Sequence, residues 1–311
     1  MANYITIDGG TTNTRISLVQ DLKVMGRVKF PIGARAGIAN HSVLRETIKN
    51  GISQLLQEHG MREEEISCIL AAGMITSEFG LYKLDHITVP AGIAELHKAM
   101  KRVKLEDISE IPFVFVPGVK ILSDDLCQTD MMRGEEAELI GLMKEGDGEC
   151  VYVLPGSHSK LVQTDDLGRI KVFSTMLTGE MIGALAKETI LKDAIDFSSN
   201  LDKEFLKKGM EYAAERGINE ALFKVRVLKN LFAKNTHQVY SFFVGACLCD
   251  EVKAVLDTGI SKVVIGGTTK LKEATGMLLS KEENMEIVIV SEDAVENSST
   301  MGMIRIYEYN R

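Results

Sequence analysis

The chain has 311 residues, of which 45% are apolar and 26% charged, and its formal net charge is −8. That length favours two domains with sizeable cores, while the acidity argues against a nucleic-acid or polybasic membrane partner. No apolar run is long enough to span a bilayer, and the opening Met-Ala-Asn-Tyr-Ile-Thr-Ile enters a strand directly rather than a secretory leader, so a cytoplasmic protein is expected. The cysteines at 68, 127, 150, 247 and 249 are odd in number and unpaired in spacing, and are expected to be reduced thiols in or near the core.

Tyr4 to Ile7, Arg15 to Val19 and Lys23 to Phe30 alternate as three strands. Ser42 to His59 has apolar residues at 44, 48, 52, 55 and 56, which predicts a helix with Ser42 as N-cap. A buried strand over 67–71, a helix over 91–100 and a strand over 113–116 follow, then a looser polar segment to Asp130 and a central helix from about 133 to 143. The pattern then restarts. Three strands (150–154, 160–163, 170–175) precede helices near 180–191, 201–215, 219–231 and 239–256, a strand at 262–265, a helix at 271–279, a strand at 287–290 and a final helix at 292–308. Strand, glycine turn, two strands and helix therefore occur twice, which predicts an α/β protein of two similar halves with a cleft between them and the central helix as hinge.

The polar glycine turns are the chemical candidates. Asp8-Gly9-Gly10-Thr11-Thr12-Asn13 lies on a hairpin and lacks the Gly-Lys-Ser/Thr ending of a P-loop, yet its N–H and hydroxyl groups can cradle phosphate oxygens. Asp8 at the strand end suits a hydrated Mg²⁺. Gly156, Ser157, His158 and Lys160 form a second such turn at the matching place in the other half, although His158 can equally be structural and Lys160 an exposed strand charge. Gly266-Gly267-Thr268 leads into a helix N-terminus, where polar ligands are favoured. Thr178 and Glu180 mark a candidate cleft edge, or simply a helix start. In the central stretch, Glu135 and Glu136 follow Arg133-Gly134, with Asp130 upstream. A helix dipole alone accommodates such acids; phosphoryl transfer also requires a carboxylate to orient an acceptor hydroxyl and take its proton. Adjacent helical positions point about 100° apart, so only one of the two glutamates is expected to face a cleft.

These residues resemble the 2-dehydro-3-deoxygalactonokinase family of the sugar kinase, actin and heat-shock ATPase superfamily, over essentially the whole chain. The resemblance rests on Asp8 with Thr12-Asn13, Ala72-Gly73-Met74, Val89-Pro90-Ala91, Val116-Pro117-Gly118, Met132-Arg133-Gly134-Glu135-Glu136, Pro155-Gly156-Ser157-His158-Ser159-Lys160, Met176-Leu177-Thr178-Gly179-Glu180, Phe223-Lys224-Val225-Arg226 and Gly266-Gly267-Thr268. It implies two ribonuclease-H-like domains of the actin-like ATPase kind with ATP in the interdomain cleft, Mg²⁺ as cofactor, and transfer of the γ-phosphoryl to the 6-hydroxyl of 2-dehydro-3-deoxy-D-galactonate in galactonate catabolism. The expected division is a first domain over 1–130 with the first phosphate hairpin, a connecting helix over 131–145, a second domain over 146–291 with the second phosphate turn and adenosine site, and a C-terminal helix over 292–311 that could return to the first domain.

By position, 8–13 and 155–160 are the phosphate motifs and Gly266, Gly267 and Thr268 the adenosine motif. A similar Glu-Glu-Ala run in exopolyphosphatases makes Glu135 the first choice as base, with Glu136 and Asp130 behind it. Arg133 is the candidate partner for the substrate carboxylate, with Arg15 and Arg35 as rivals. Gly9 replaces a tryptophan common in the family, Ser159 and Leu161 are atypical, and Glu292-Asp293-Ala294 replaces an Asp-Thr-Ala-type turn; these departures leave the sugar acid less defined than the kinase. Type III pantothenate kinase, another keto-deoxy sugar acid kinase and a nucleotide-binding sensor are the alternatives, and a homodimer is left open.

Overall fold

The computed structural model describes residues 2–39, 41–267, 270–280 and 284–310. The chain divides into two compact units, one of 1–147, 168–172 and 293–311 and the other of 148–167 and 173–292. In the first unit, β1 (Asn3–Gly9), β2 (Thr14–Gln20) and β3 (Lys23–Phe30) form an antiparallel meander. After α1 (Ala34–Ala39) and α2 (His41–Glu58) come β4 (Cys68–Gly73), β5 (Ile87–Thr88), α3 (Ile93–Ala99), β6 (Lys101–Leu105), β7 (Ser109–Phe115), β8 (Val119–Ile121), β9 (Asp130–Met132) and α4 (Glu135–Leu142). The main sheet has the order β3-β2-β1-β4-β7-β6, with β4 parallel to β1 and to β7.

The second unit repeats this plan. β10 (Val151–Leu154), β11 (Ser159–Thr164), β12 (Ile170–Met176), β13 (Lys262–Ile265) and β14 (Glu286–Ile289) make a sheet of order β12-β11-β10-β13-β14. Here too the first two strands are antiparallel, and the crossover strands run parallel to the first. The helices are α5 (Thr178–Glu188), α6 (Lys203–Arg216), α7 (Ile218–Asn230), α8 (Thr236–Cys247), α9 (Cys249–Asp257) and α10 (Lys270–Leu279). The closing helix α11 (Glu292–Tyr307) contributes almost all of its length to the first unit. The second sheet has the strand order 3-2-1-4-5, and the first shares its 3-2-1-4 part and continues with β7 and β6 at the edge, the ribonuclease-H-like plan expected from the sequence.

The packing explains why β1 and α4 are held firmly. Ile5 and Ile7 point into a core with Leu44, Ile48, Ile52 and Leu55 of α2, the four-residue spacing seen in the sequence. Burial of each such side chain contributes roughly 1.5–3 kcal/mol. The alternate face of β1 is buried against α11, with Thr6 Oγ1 3.1 Å from Thr300 Oγ1 and Tyr4 Oη donating to Glu308 at 2.8 Å. Against α4, α11 packs backbone to backbone, because a Cβ at Gly302 would stand 1.8 Å from Ala137 O. Arg305 Nη1 then donates to Ile140 O and Met143 O, two carbonyls that the α4 C-terminus leaves open.

Several expected elements differ. The helix predicted over 239–256 is two helices broken at Leu248, whose ψ of −2° interrupts the turn without any Gly or Pro to announce it. Ser42 lies inside α2 rather than capping it. β6, and the small sheet β5-β8-β9 that flanks the loose polar segment, were not anticipated; their strands are short, and β5 gains its partner from a position some thirty residues away. Four of the cysteines are buried, but Cys127 is exposed, in a short turn over 126–128 that buries none of its residues.

Candidate active site

The first turn joins β1 to β2. Its tip is closed by Gly10 N donating to Asn13 O at 2.8 Å, and Ala34 N and Arg35 N donate to Gly10 O and Thr11 O. Thr11, Thr12 and Asn13 are exposed, with Asn13 Nδ2 donating to Thr12 Oγ1, while Gly9 is buried against Ile75. Asp8 and Arg15 are register partners across the hairpin and form an ion pair of 2.6 Å. A cavity of about 500 Å³ is lined by Asp8, Gly10, Thr12, Asn13 and Arg15, with Lys29 from β3. Lys29 was not singled out from the sequence, although its pairing with Arg15 on the adjacent strand follows from the meander. Arg35 is exposed on α1, next to the hairpin tip that its own N–H holds.

The central stretch turns from β9 into α4 at Gly134, whose φ of +114° favours glycine and whose missing Cβ would lie 3.1 Å from Gly73 Cα. Glu136 is fully buried, and both its oxygens stand 2.8 Å from Gly134 N. Burial, and then the Glu135 charge, push its carboxyl up to about 8 against the opposing backbone N–H groups and Arg133. Glu135 is half-buried and accepts from Arg133 N at 3.0 Å. One turn on, Glu138 is pushed up to about 7 by burial and by the charges of Asp8 and Glu135, with Arg15 pulling it down. Glu135 and Glu138 therefore share the helix face that senses the first turn, whereas Glu136 is turned into the interior. Sequence reasoning missed Glu138; the signal available was the three-residue spacing from Glu135.

Arg133 does not have the open fork expected of a carboxylate clamp. Its Nη1 donates to Thr76 O at 2.8 Å and to Thr76 Oγ1, and its Nη2 donates to Leu84 O at 2.9 Å and contacts His86 Nδ1 at 3.1 Å. Every terminal N–H has a protein partner, so a bidentate grip on a substrate is closed in this arrangement. Burial and the Arg133 charge push His86 down to about 4, which keeps its ring neutral and able to accept. Asp130 accepts from Met131 N at 2.6 Å at the start of β9.

In the second unit, three segments that are far apart in the sequence meet. The turn 155–158 joins β10 to β11, and the start of α5 lies directly on it: a Cβ at Gly179 would stand 2.2 Å from Gly156 O, and Glu180 N donates to Ser157 O. His158 Nε2 is 3.4 Å from Glu180 Oε2, both side chains being well exposed. From the other side Gly267, at φ +79°, leaves only 2.6 Å between a built Cβ and Pro155 O, and Gly266 N donates to Val153 O. Thr268 lies outside the described residues. Thr178 is buried at the first position of α5, and Lys160 is only 5% exposed on β11, not the solvated strand charge that was the alternative.

Two ribonuclease-H-like sheets, each with a polar turn between its first two strands, make an actin-like ATPase fold. The chain belongs to the 2-keto-3-deoxy-galactonokinase family, whose model matches residues 8–301. It is 28% identical over 261 residues to the 2-dehydro-3-deoxygalactonokinase of Escherichia coli (strain K12), covering 82% of this chain and 81% of that one. A solved structure from Sinorhizobium meliloti, provisionally named as a 2-dehydro-3-deoxygalactonokinase, superposes with a TM-score of 0.78 at 21% identity, over 97% of this chain and 96% of that one. The xylulose kinase of Lactobacillus acidophilus gives 0.55 at 11% identity, over 99% and 89% of the two chains, which extends the shared fold to a sugar kinase. Among the described residues, no helix is long and apolar enough to cross a membrane.

Proposed function

We propose that the protein transfers the γ-phosphoryl of ATP to the 6-hydroxyl of 2-dehydro-3-deoxy-D-galactonate. The single observation that carries the chemistry is the electrostatic set of Asp8, Glu135 and Glu138 beside the first turn. A general base works best with a pKa near the working pH, and Glu138, pushed up to about 7, meets that condition with Glu135 alongside it. In this reading the Glu135–Glu138 face orients the acceptor hydroxyl and takes its proton as the P–O bond forms. Arg35, exposed beside the hairpin tip, is the candidate for the sugar-acid carboxylate, since Arg133 is occupied and Arg15 pairs with Asp8. The N–H groups of 156–158 take phosphate oxygens, with His158 and Ser157 as further donors, and Gly266-Gly267 lets the adenosine approach the backbone.

The donor set fits Mg²⁺. The ion needs only one or two carboxylates besides phosphate oxygens and water, and the Asp8 and Glu135 charges that raise Glu138 make a negative field that a cation would offset. When bound, Mg²⁺ supplies neutralisation of the phosphate charge. Asp8 is the residue that would hold it, exchanging its Arg15 partner for the ion.

The test is ADP release in a coupled assay with Mg²⁺-ATP across keto-deoxy sugar acids, gluconate, glucose and pantothenate. Turnover is expected to be fastest with 2-dehydro-3-deoxy-D-galactonate. No turnover of any sugar acid would sink the proposal, and preference for pantothenate would replace it.

A further inference from the structure

On one face of the first sheet, charges run in a row across three strands. Asp8 on β1 is the register partner of Arg15 on β2, and Arg15 is the register partner of Lys29 on β3. All three line the cavity of about 500 Å³ that is also lined by Gly10, Thr12 and Asn13 of the first turn. Two cations directly opposite each other on neighbouring strands repel, so placing Lys29 beside Arg15 is unfavourable for the sheet alone. Burial does not demand it either, because the Lys29 side chain is 59% exposed.

The ion pairs on this face leave Lys29 in surplus. Asp8 takes Arg15 at 2.6 Å. Glu296 on α11 is shared, with its Oε1 2.9 Å from both Arg27 Nη1 and Lys29 Nζ. Of these two, Arg27 is the fixed partner: its side chain is 13% exposed, its Nε donates to Ser17 Oγ at 2.9 Å and its Nη2 to Asn297 Oδ1 at 2.7 Å. Lys29 carries its ammonium on a flexible stem, and an exposed ion pair of this kind holds it only weakly. Within these pairs Arg15, Arg27 and Lys29 share the carboxylates of Asp8 and Glu296, so positive charge is in excess in a chain whose formal net charge is −8. Arg15 joins that excess once Asp8 has a metal ion for a partner.

Positive charge in excess beside backbone N–H and hydroxyl donors suits a phosphoryl group, whose oxygens stay anionic throughout transfer. We propose that Lys29 contacts the transferred phosphoryl group: it leaves Glu296 to Arg27 and donates to the γ-phosphate oxygens of ATP held at the first turn. This rests on reading that turn as the seat of the transferred group. The β3 pattern gives no hint of such a role, since a lysine on an exposed strand position is ordinary; the role follows from the register with Arg15 and from the cavity they share.

The test compares Lys29→Met, Lys29→Arg and Glu296→Gln with the wild type. Titration calorimetry measures ADP and a non-hydrolysable imido analogue of ATP, both with Mg²⁺, alongside steady-state kinetics. Loss of a charge-assisted hydrogen bond weakens binding by about tenfold or more. In Lys29→Met, Kd for the imido analogue and KM for ATP are expected to rise by that factor. ADP lacks the group that Lys29 contacts, so its Kd should stay within about twofold. Lys29→Arg keeps the charge and should bind the analogue within about threefold of wild type. Glu296→Gln frees the ammonium without removing it, and should bind the analogue at least as well as the wild type.

Analogue affinity unchanged in Lys29→Met overturns the contact and leaves the kinase reading standing. A loss of equal size for ADP and the analogue, or in Glu296→Gln as in Lys29→Met, makes Lys29 a structural partner of α11 and also overturns it. So does a selective rise in KM for the sugar acid, which would give the ammonium to the carboxylate instead. Wild-type protein that binds neither nucleotide overturns the reading of the first turn, and the Lys29 contact with it.

Discussion

Glu138 offers the sharpest test of the chemistry. Its carboxyl is pushed from an ordinary 4.5 up to about 7 by burial, by Asp8 and by Glu135, in that order. At about 1.4 kcal/mol per unit, ionising it in place is unfavourable by a few kcal/mol relative to water, and the same energy makes it a competent base near neutral pH. If it takes the hydroxyl proton, kcat/KM rises with pH and then levels off, because only the ionised form accepts, with the limb below the metal-free value of about 7 once Mg²⁺ is bound beside Asp8. Glu138→Gln should remove that limb and lower kcat by roughly 10²–10⁴, the usual contribution of a general base, with little change in KM for ATP.

The neighbours then move the limb in signed ways. Glu135→Gln removes a negative charge and shifts it to lower pH, and Asp8→Asn does so further. Arg15→Met removes the one opposing cation and shifts it to higher pH. The assay is the pH dependence of kcat/KM at saturating Mg²⁺-ATP. A Glu138→Gln enzyme with wild-type kcat and an unmoved limb refutes the assignment, and returns the role to Glu135.

Other predictions concern stability and the second turn. Glu136 is raised to about 8 in the folded chain against 4.5 unfolded; the folded state then holds the extra proton between those values, so this group's contribution to stability is greatest below about pH 4.5 and falls as pH rises to about 8. Urea unfolding at pH 5 and pH 9 should show this slope reduced in Glu136→Gln, and an unchanged slope would rule Glu136 out as its source. Gly179→Ala forces a methyl against Gly156 O, 2.2 Å away; overpacking of this kind costs about 1–3 kcal/mol, and KM for ATP should rise while KM for the sugar acid does not. Arg133→Lys cannot serve Thr76, Leu84 and His86 together; a lower Tm is expected with sugar-acid KM retained when assayed well below that Tm, and a selective rise in that KM would restore Arg133 as a substrate clamp. Arg305→Met uncovers the Ile140 and Met143 carbonyls and should destabilise by about 1–3 kcal/mol in denaturant titration.

How much could be read in advance depended on the range of the interaction. The α2 spacing at 44, 48, 52, 55 and 56 and the strand meanders after Asn3 and Val151 are local periodicities, and they appear as buried faces. The break at Leu248 left no mark, because an apolar helix pattern looks the same on both sides of a single residue with ψ near 0. The hydrogen bonds of Arg133 were hidden for a similar reason. Its acceptors on Thr76, Leu84 and His86 lie 57, 49 and 47 positions away, so only folding shows that its donors are taken.

By itself, then, the sequence determined the elements whose hydrophobic period is local, the twofold repeat of strand and glycine turn, and the family, which its motifs carry in order. The tertiary structure decided what those motifs can do. It turned Glu136 inward and set Glu138 among the charges of Asp8, Glu135 and Arg15. It also brought 155–158, 178–180 and 266–267 into contact through glycines that leave no room for a Cβ at 179 or 267. Electrostatic coupling and steric closure act through space, and the chain positions that meet there carry no shared period to announce it.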